Sequence, residues 1–309
     1  MLSPKRVKPD SAEDANGERQ RPNPSLATIH KAATKSIDLR GHQLQLSEWI
    51  QHEHLRVHLH DGSIFEGKLL DGLPHGDASW TQPQGLRIEG RWESGELHGE
   101  VRISYPDGCL FQGEVLHGYA QGRGKTKRPS GMIHEGQYHA GQPKGLGRLI
   151  WPDGRIFEGR FEDESNGFGR LEWPDGRTFQ GLLRNAELAD EGELTWPDGR
   201  SYRGSLWMAE PNGQGEMRWP DGSIHVGEFK AGKANGPGER QFSNGLRFVA
   251  SWQSGLAEGE ATSFTPDGVR TVGQWRRGKR DGEAISHWPD GRQMLVTWRE
   301  DVVQSLATM

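Results

Sequence analysis

The sequence predicts an all-β protein: an elongated single-sheet solenoid of tandem β-hairpins behind a short disordered or helical N-terminal segment. Three observations predict it. A glycine returns on a fixed beat, a turn tripeptide is locked to that beat, and large residues alternate after every turn. The glycines are Gly62, Gly85, Gly108, Gly131, Gly154, Gly176, Gly199, Gly222, Gly245, Gly268 and Gly291, 23 residues apart except for one interval of 22 between Gly154 and Gly176. A fixed short period means one supersecondary unit copied in tandem, which overrides the two-globule expectation for 309 residues.

The turn is the most regular part. Seven of these glycines close Pro-Asp-Gly, at 106–108, 152–154, 174–176, 197–199, 220–222, 266–268 and 289–291. Proline presets φ near −65° for a type I turn, aspartate tolerates the next position, and glycine accepts the positive φ that follows. That is a hairpin connection with a bulge at the glycine. The residue before proline is biased toward extended backbone, and here it is Trp151, Trp173, Trp196, Trp219 or Trp288. Weaker turns such as Pro129-Ser130-Gly131 and Ser243-Asn244-Gly245 keep the same phase.

A strand follows each turn. Phe65, Ile88, Phe111, Phe157, Phe179, Tyr202 and Phe248 stand three residues past the closing glycine; a second glycine, such as Gly113 or Gly181, stands five past it. Seven past it come residues such as Trp92, Tyr138, Phe161, Trp252 and Trp275. Large side chains flanking a glycine in alternation describe a strand with one packed face and one close backbone approach. Second Gly-rich turns are expected at Gly72–Gly76, Gly95–Gly99, Gly141–Gly145, Gly232–Gly236 and Gly278–Gly282, each followed by a returning strand. Repeat six lacks the middle glycines (Asn185, Ala186, Asp190) and Ala250 replaces the strand glycine of repeat nine, so bending or widening is expected there.

The chain divides into a disordered polar tail (1–40), a helix and half-repeat cap (41–61) and the array (62–309). Short helices are expected over 25–37 and 44–55, the second because Leu44, Trp49, Ile50 and Leu55 share one face. Leu55, Val57 and Leu59 then alternate into the turn at Asp61-Gly62.

The pattern aromatic-x-Gly-x-aromatic-x-x-Gly-x-x-x-Gly-x-Gly, ending in Pro-Asp-Gly, resembles the MORN (membrane occupation and recognition nexus) repeat. Phe157-Glu158-Gly159-Arg160-Phe161 and Gly145-Leu146-Gly147 match it residue by residue. The resemblance implies curved, trough-like sheets. It also implies none of the catalytic domains that accompany some such arrays, because too few residues follow Gly291.

Composition narrows the function classes. Hydrophobic residues make up 32% of the chain and glycine 44 of its 309 residues, so any core is thin and ring-rich. The single Cys109 cannot form an internal disulfide, and no apolar run reaches the ~20 residues of a membrane helix. The expectation is therefore cytoplasmic, or peripheral to a membrane. A net charge of −5 and the lack of a recognised module argue against nucleic acid. Gly122-Arg123-Gly124-Lys125-Thr126 is similar to the end of a phosphate-binding loop, but residue 119 is Tyr where glycine is required. No cofactor, metal site or catalytic constellation is expected.

The function expected is a non-catalytic scaffold that docks a segment of another protein on a ring-lined strip. The candidate anchors are Trp92, Tyr138, Trp151, Phe161, Trp173, Trp196, Trp219, Trp252 and Trp275. Two alternatives stand beside it. Basic clusters at Arg123, Lys125 and Lys127 and at Arg276, Arg277 and Lys279 could read anionic lipid headgroups. Open terminal strands could pair with another copy, giving a self-assembling structural protein or homo-oligomer.

Overall fold

A computed structural model describes residues 45–46, 54–71 and 73–308. The tail (1–40) and the helix over 25–37 lie outside the described residues, as does Gly72. The chain forms one 24-stranded antiparallel sheet, from Gln45–Leu46 and Leu55–His58 to the final strand Val302–Thr308. Every strand pairs with its neighbours in sequence. The helix over 44–55 is corrected at its start: Gln45–Leu46 is a strand paired with His58 and Val57, and residues 47–53 lie outside the described set. A short apolar run cannot separate helix from strand, and the open backbone groups of Leu55–His58 favour a ladder.

Two turn types alternate along the array. At the Pro-Asp-Gly turns the glycine N–H donates to the residue before proline, as Gly154 N to Trp151 O at 3.0 Å, and Trp151 N donates to Arg155 O at 2.9 Å. The glycine also seats the next turn. Gly176 has φ 83°, and a Cβ there would stand 3.0 Å from Cγ of Pro197. Both the backbone conformation and the stacked proline therefore require glycine at this position.

The second turns are shorter than Gly95–Gly99 suggests. Ser94 and Gly95, with φ of 48° and 86°, form a two-residue type I′ connection. Gly99 lies inside the returning strand, next to a register shift at Gly90/Arg91. Each regular repeat thus carries a bulge, which strengthens the local twist. In repeat six Asn185 and Ala186 keep the two-residue turn with φ of 53° and 60°. Its departure lies in the ladder to the next strand, which begins only at Glu191↔Ser205 and leaves Asp190 unpaired there.

The 22-residue repeat solves its turn differently. Ile156–Phe161 and Gly167–Glu172 pair without a register shift. The loop between them is held by Asp163, whose carboxylate accepts from Ser165 N at 2.8 Å, Asn166 N at 2.9 Å and Asn166 Nδ2 at 2.7 Å. Burial alone would raise the Asp163 pKa; those hydrogen bonds outweigh it and hold the carboxyl below its ordinary value.

Candidate functional site

The candidate functional face is the one onto which the alternating rings project. Phe179 is fully buried there although the sheet is a single layer. Its ring lies over the glycines of its own and the next strand, so that a Cβ at Gly181 or Gly192 would collide with it. Rings then meet edge to face along the array. Phe111–Tyr138, Tyr138–His134, His134–Phe161 and Phe161–Phe157 have centroids 5.4, 5.2, 4.9 and 5.5 Å apart. The pattern resumes at Tyr202–Phe229, Phe229–His225 and His225–Trp252, at 5.0, 5.3 and 4.9 Å. This T-shaped geometry suits the ring quadrupoles and adds to the burial.

The two histidines of this spine stand at the third position after the turn glycine, where most repeats have an apolar residue. Burial first, then the charge of Arg128, holds His134 down at about 4. Burial and then Arg240 hold His225 at about 4 as well. Both imidazoles are neutral rings at physiological pH. Cys109 is equally enclosed; burial and then Asp107 push its thiol up to about 11, so little nucleophilic thiolate forms.

The expected anchors occupy three kinds of place. Trp92, Tyr138, Phe161 and Trp252 are buried in the spine, at most 9% exposed. Trp151, Trp173 and Trp196 are half-buried at the turn edge, each with an arginine guanidinium 5.1 Å from its ring. These are Arg155, Arg177 and Arg200, which also donate from Nε to Asp153, Asp175 and Asp198 at 2.7–2.8 Å. Sequence reasoning missed this arginine, although Trp-Pro-Asp-Gly-Arg is written out four times, the fourth at 288–292. Trp219 is the exception in its group, with Ser223 after its turn glycine and Arg240 from the following repeat 4.5 Å away. Trp275 is half-buried and lines a hollow.

That hollow, of about 770 Å³, lies on the ring-bearing face. It opens where the spine changes character. The third position after the turn glycine is Thr271 in repeat ten and Met294 in the next. Across the strands from Thr271 stand Ser263 and Ser286, and the Thr271 and Ser286 hydroxyls are 2.8 Å apart. In mid-array the corresponding neighbours of Phe179 are Leu171 and Leu194. Phe248, Trp252, Trp275 and Trp298 wall the space; Ala261 and Ala284 keep it open. The sequence signal was the lapse of the ring at Thr271.

The basic clusters lie elsewhere. Arg123, Lys125 and Lys127 project outward from one strand, Tyr119–Lys127, with Lys125 Nζ 2.5 Å from Glu135. The same strand contains the phosphate-loop look-alike, whose Thr126 is buried against the Tyr138 hydroxyl at 2.7 Å. Arg276 and Lys279 are exposed and meet Asp281 at 3.9 Å and Glu300 at 3.5 Å. Arg277 sits in a two-residue turn with φ 51°, its N–H donating to Glu258 at 2.8 Å. Among the described residues no helix is long and apolar enough to cross a membrane.

Comparison with known proteins agrees with the repeat geometry. The MORN repeat model matches residues 89–110, 111–133, 134–154, 158–176, 202–224, 225–247 and 272–291. No curated protein matches the chain in sequence. Among solved structures, the wild-type TCP10 domain of Danio rerio CPAP, in complex with a peptide of Danio rerio STIL, is similar at 18% identity. That alignment covers 80% of this chain and 99% of that one, with a TM-score of 0.27. The SAS-4 (dCPAP) TCP domain of Drosophila melanogaster, in complex with a proline-rich motif of Ana2, aligns at 12% identity over 75% of this chain and 97% of that one, with a TM-score of 0.27. Scores of this size carry no argument about function.

Proposed function

This chain belongs to the MORN repeat family, and on that premise we propose that it is a non-catalytic scaffold that docks a segment of another protein on its ring-bearing face. The observation that supports this reading is the hollow of about 770 Å³, with four aromatic walls and a floor of serine and threonine hydroxyls. Binding sites combine this kind of apolar lining with a few convergent polar groups, in volumes of about 300–1,000 Å³. Panning a displayed library of random peptides on the purified full chain tests it. Enrichment of specific peptides with micromolar or tighter affinity is expected; a library that yields none would sink the scaffold reading.

A second reading is favoured by one observation, the outward row of Arg123, Lys125 and Lys127. Such a row could meet anionic headgroups at a membrane surface. Co-sedimentation with phosphatidylserine vesicles should then fall on charge reversal at these three positions, and an unchanged pellet removes it. Self-assembly through the exposed strand Val302–Thr308 would show as concentration-dependent light scattering.

A further inference from the structure

We infer that the hollow over Thr271 is a seat for an aromatic side chain carried by an acidic segment of the partner; the inference rests on the scaffold reading and names the place and chemistry of docking. The spine supplies the first argument. In mid-array Phe179, with Leu171 and Leu194 opposite it on the two neighbouring strands, lays its ring over Gly181 and Gly192. At Thr271 that ring is replaced by a small side chain between two serines, and the space it would fill opens to solvent. A ring entering from outside meets Phe248 and Trp275, which stand edge to face 4.8 Å apart, as the internal rings do.

Charge supplies the second argument. A smaller hollow of about 180 Å³ shares Arg240, Trp252 and Gly255 with the first, so the two form one trough running across successive strands. Its walls carry Arg200, Lys233, Arg240 and Arg280; Arg200 is tied to Asp198 and Arg280 to Asp301, so among the described residues Lys233 and Arg240 are left without an ion pair, in a chain whose net charge is −5. Asp301 is already held by Arg280 at 2.9 Å. Arg240 lies between the rings of Trp219 and Phe242, at 4.5 and 5.2 Å, and its Nε is buried with no acceptor. Among the described residues no carboxylate stands within ion-pair distance of it, although its charge reaches Asp221 and helps hold that carboxyl below its ordinary value. An aspartate or glutamate beside the incoming ring supplies the missing acceptor, and charge-assisted hydrogen bonds of this kind are the strong ones. The length of the trough suits an extended chain segment better than one compact small molecule.

The experiment uses the full chain and random dodecapeptides on phage. The expected enriched sequences carry Trp, Phe or Tyr within a few residues of Asp or Glu. Thr271→Phe, which restores the ring, and Ser286→Leu, which restores the flanking leucine, should each weaken such peptides at least tenfold while each variant keeps the wild-type circular dichroism spectrum. Arg240→Gln should erase the acidic preference and keep the aromatic one. Two independent fillers guard against a folding defect in either. Peptides that bind wild type and both fillers equally would overturn this site and leave the scaffold reading standing; failure to enrich any peptide would end both. Enriched basic or aliphatic sequences would overturn the chemistry assigned to it. Dimers that disperse in Thr271→Phe would assign the hollow to a second copy of the chain and also overturn the proposal.

Discussion

Arg240 covers Trp219 at 4.5 Å, standing in for the arginine that Ser223 denies to that turn. Three upstream turns carry their own cation on the ring, tied down by the turn aspartate. Arg240 arrives instead from the next repeat. It therefore faces the ring spine and meets His225, whose protonation it opposes. One substitution in a turn thus places a guanidinium with no carboxylate at ion-pair distance on the ring-bearing face.

Burial, with the charges of Arg128 and Arg240 behind it, sets a pH dependence. His134 and His225 titrate near 4 in the folded chain against about 6.5 unfolded, so the unfolded state binds more protons between these values. Stability is expected to be level above pH 6.5 and to fall as pH drops toward 4, by about 3 kcal/mol per histidine at the limit. His225→Phe should flatten half of this loss and stabilise the protein at pH 5. Urea midpoints of wild type and variant from pH 4 to 8 check it.

Ala186 and Ala209 hold left-handed backbone, φ 60° and 61°, at turn positions that are glycine in several other repeats. Left-handed geometry costs a non-glycine residue roughly 1–2 kcal/mol, partly offset by the greater unfolded freedom of glycine. Ala186→Gly and Ala209→Gly should each stabilise by about 0.5–1 kcal/mol, seen as a higher denaturant midpoint at constant slope.

The ring-over-glycine contact gives the opposite sign. Gly181→Ala and Gly192→Ala drive a methyl into the Phe179 ring and should each cost about 2–3 kcal/mol. Phe179→Leu combined with either should cost less than the sum of the two changes. A double-mutant cycle measures that coupling.

Asp163 organises the 22-residue repeat through at least three strong acceptor contacts. Asp163→Ala should destabilise by about 1–2 kcal/mol, and Asp163→Asn by less. Because its folded pKa is depressed, its contribution is full above the ordinary aspartate value and is lost as pH falls below it. Thermal melts of both variants at neutral and acid pH provide the check.

The ladder was legible because the glycine beat fixes where hairpins turn, and strict alternation fixes which face each side chain takes. What the sequence concealed was local. Gly95 and Gly99 look like two ends of one loop, yet the first closes a two-residue turn and the second makes a bulge. The short apolar run before Leu55 carried no helix period strong enough to compete with a waiting strand edge, so Gln45–Leu46 pairs instead. Packing of the rings against one another along the sheet was readable from the alternation, but not which rings stay open: Trp92, Tyr138 and Phe161, read as docking anchors, are buried. The hollow was written as an absence, a threonine where an aromatic was due.

Most of the buried apolar residues fall into three clusters, running from Phe65 to Tyr138, from Leu149 to Phe229, and from Phe248 to Ala261. His134 touches Tyr138 and Phe161 across the first gap, and His225 touches Phe229 and Trp252 across the second. Among the described residues, the rings in edge-to-face contact across these seams are thus the two that acid can charge. Protonation would loosen the packing at both seams while the backbone ladder runs on through His134 and His225. A molecule stretched from its two ends should therefore yield as one unit at neutral pH and less cooperatively near pH 4.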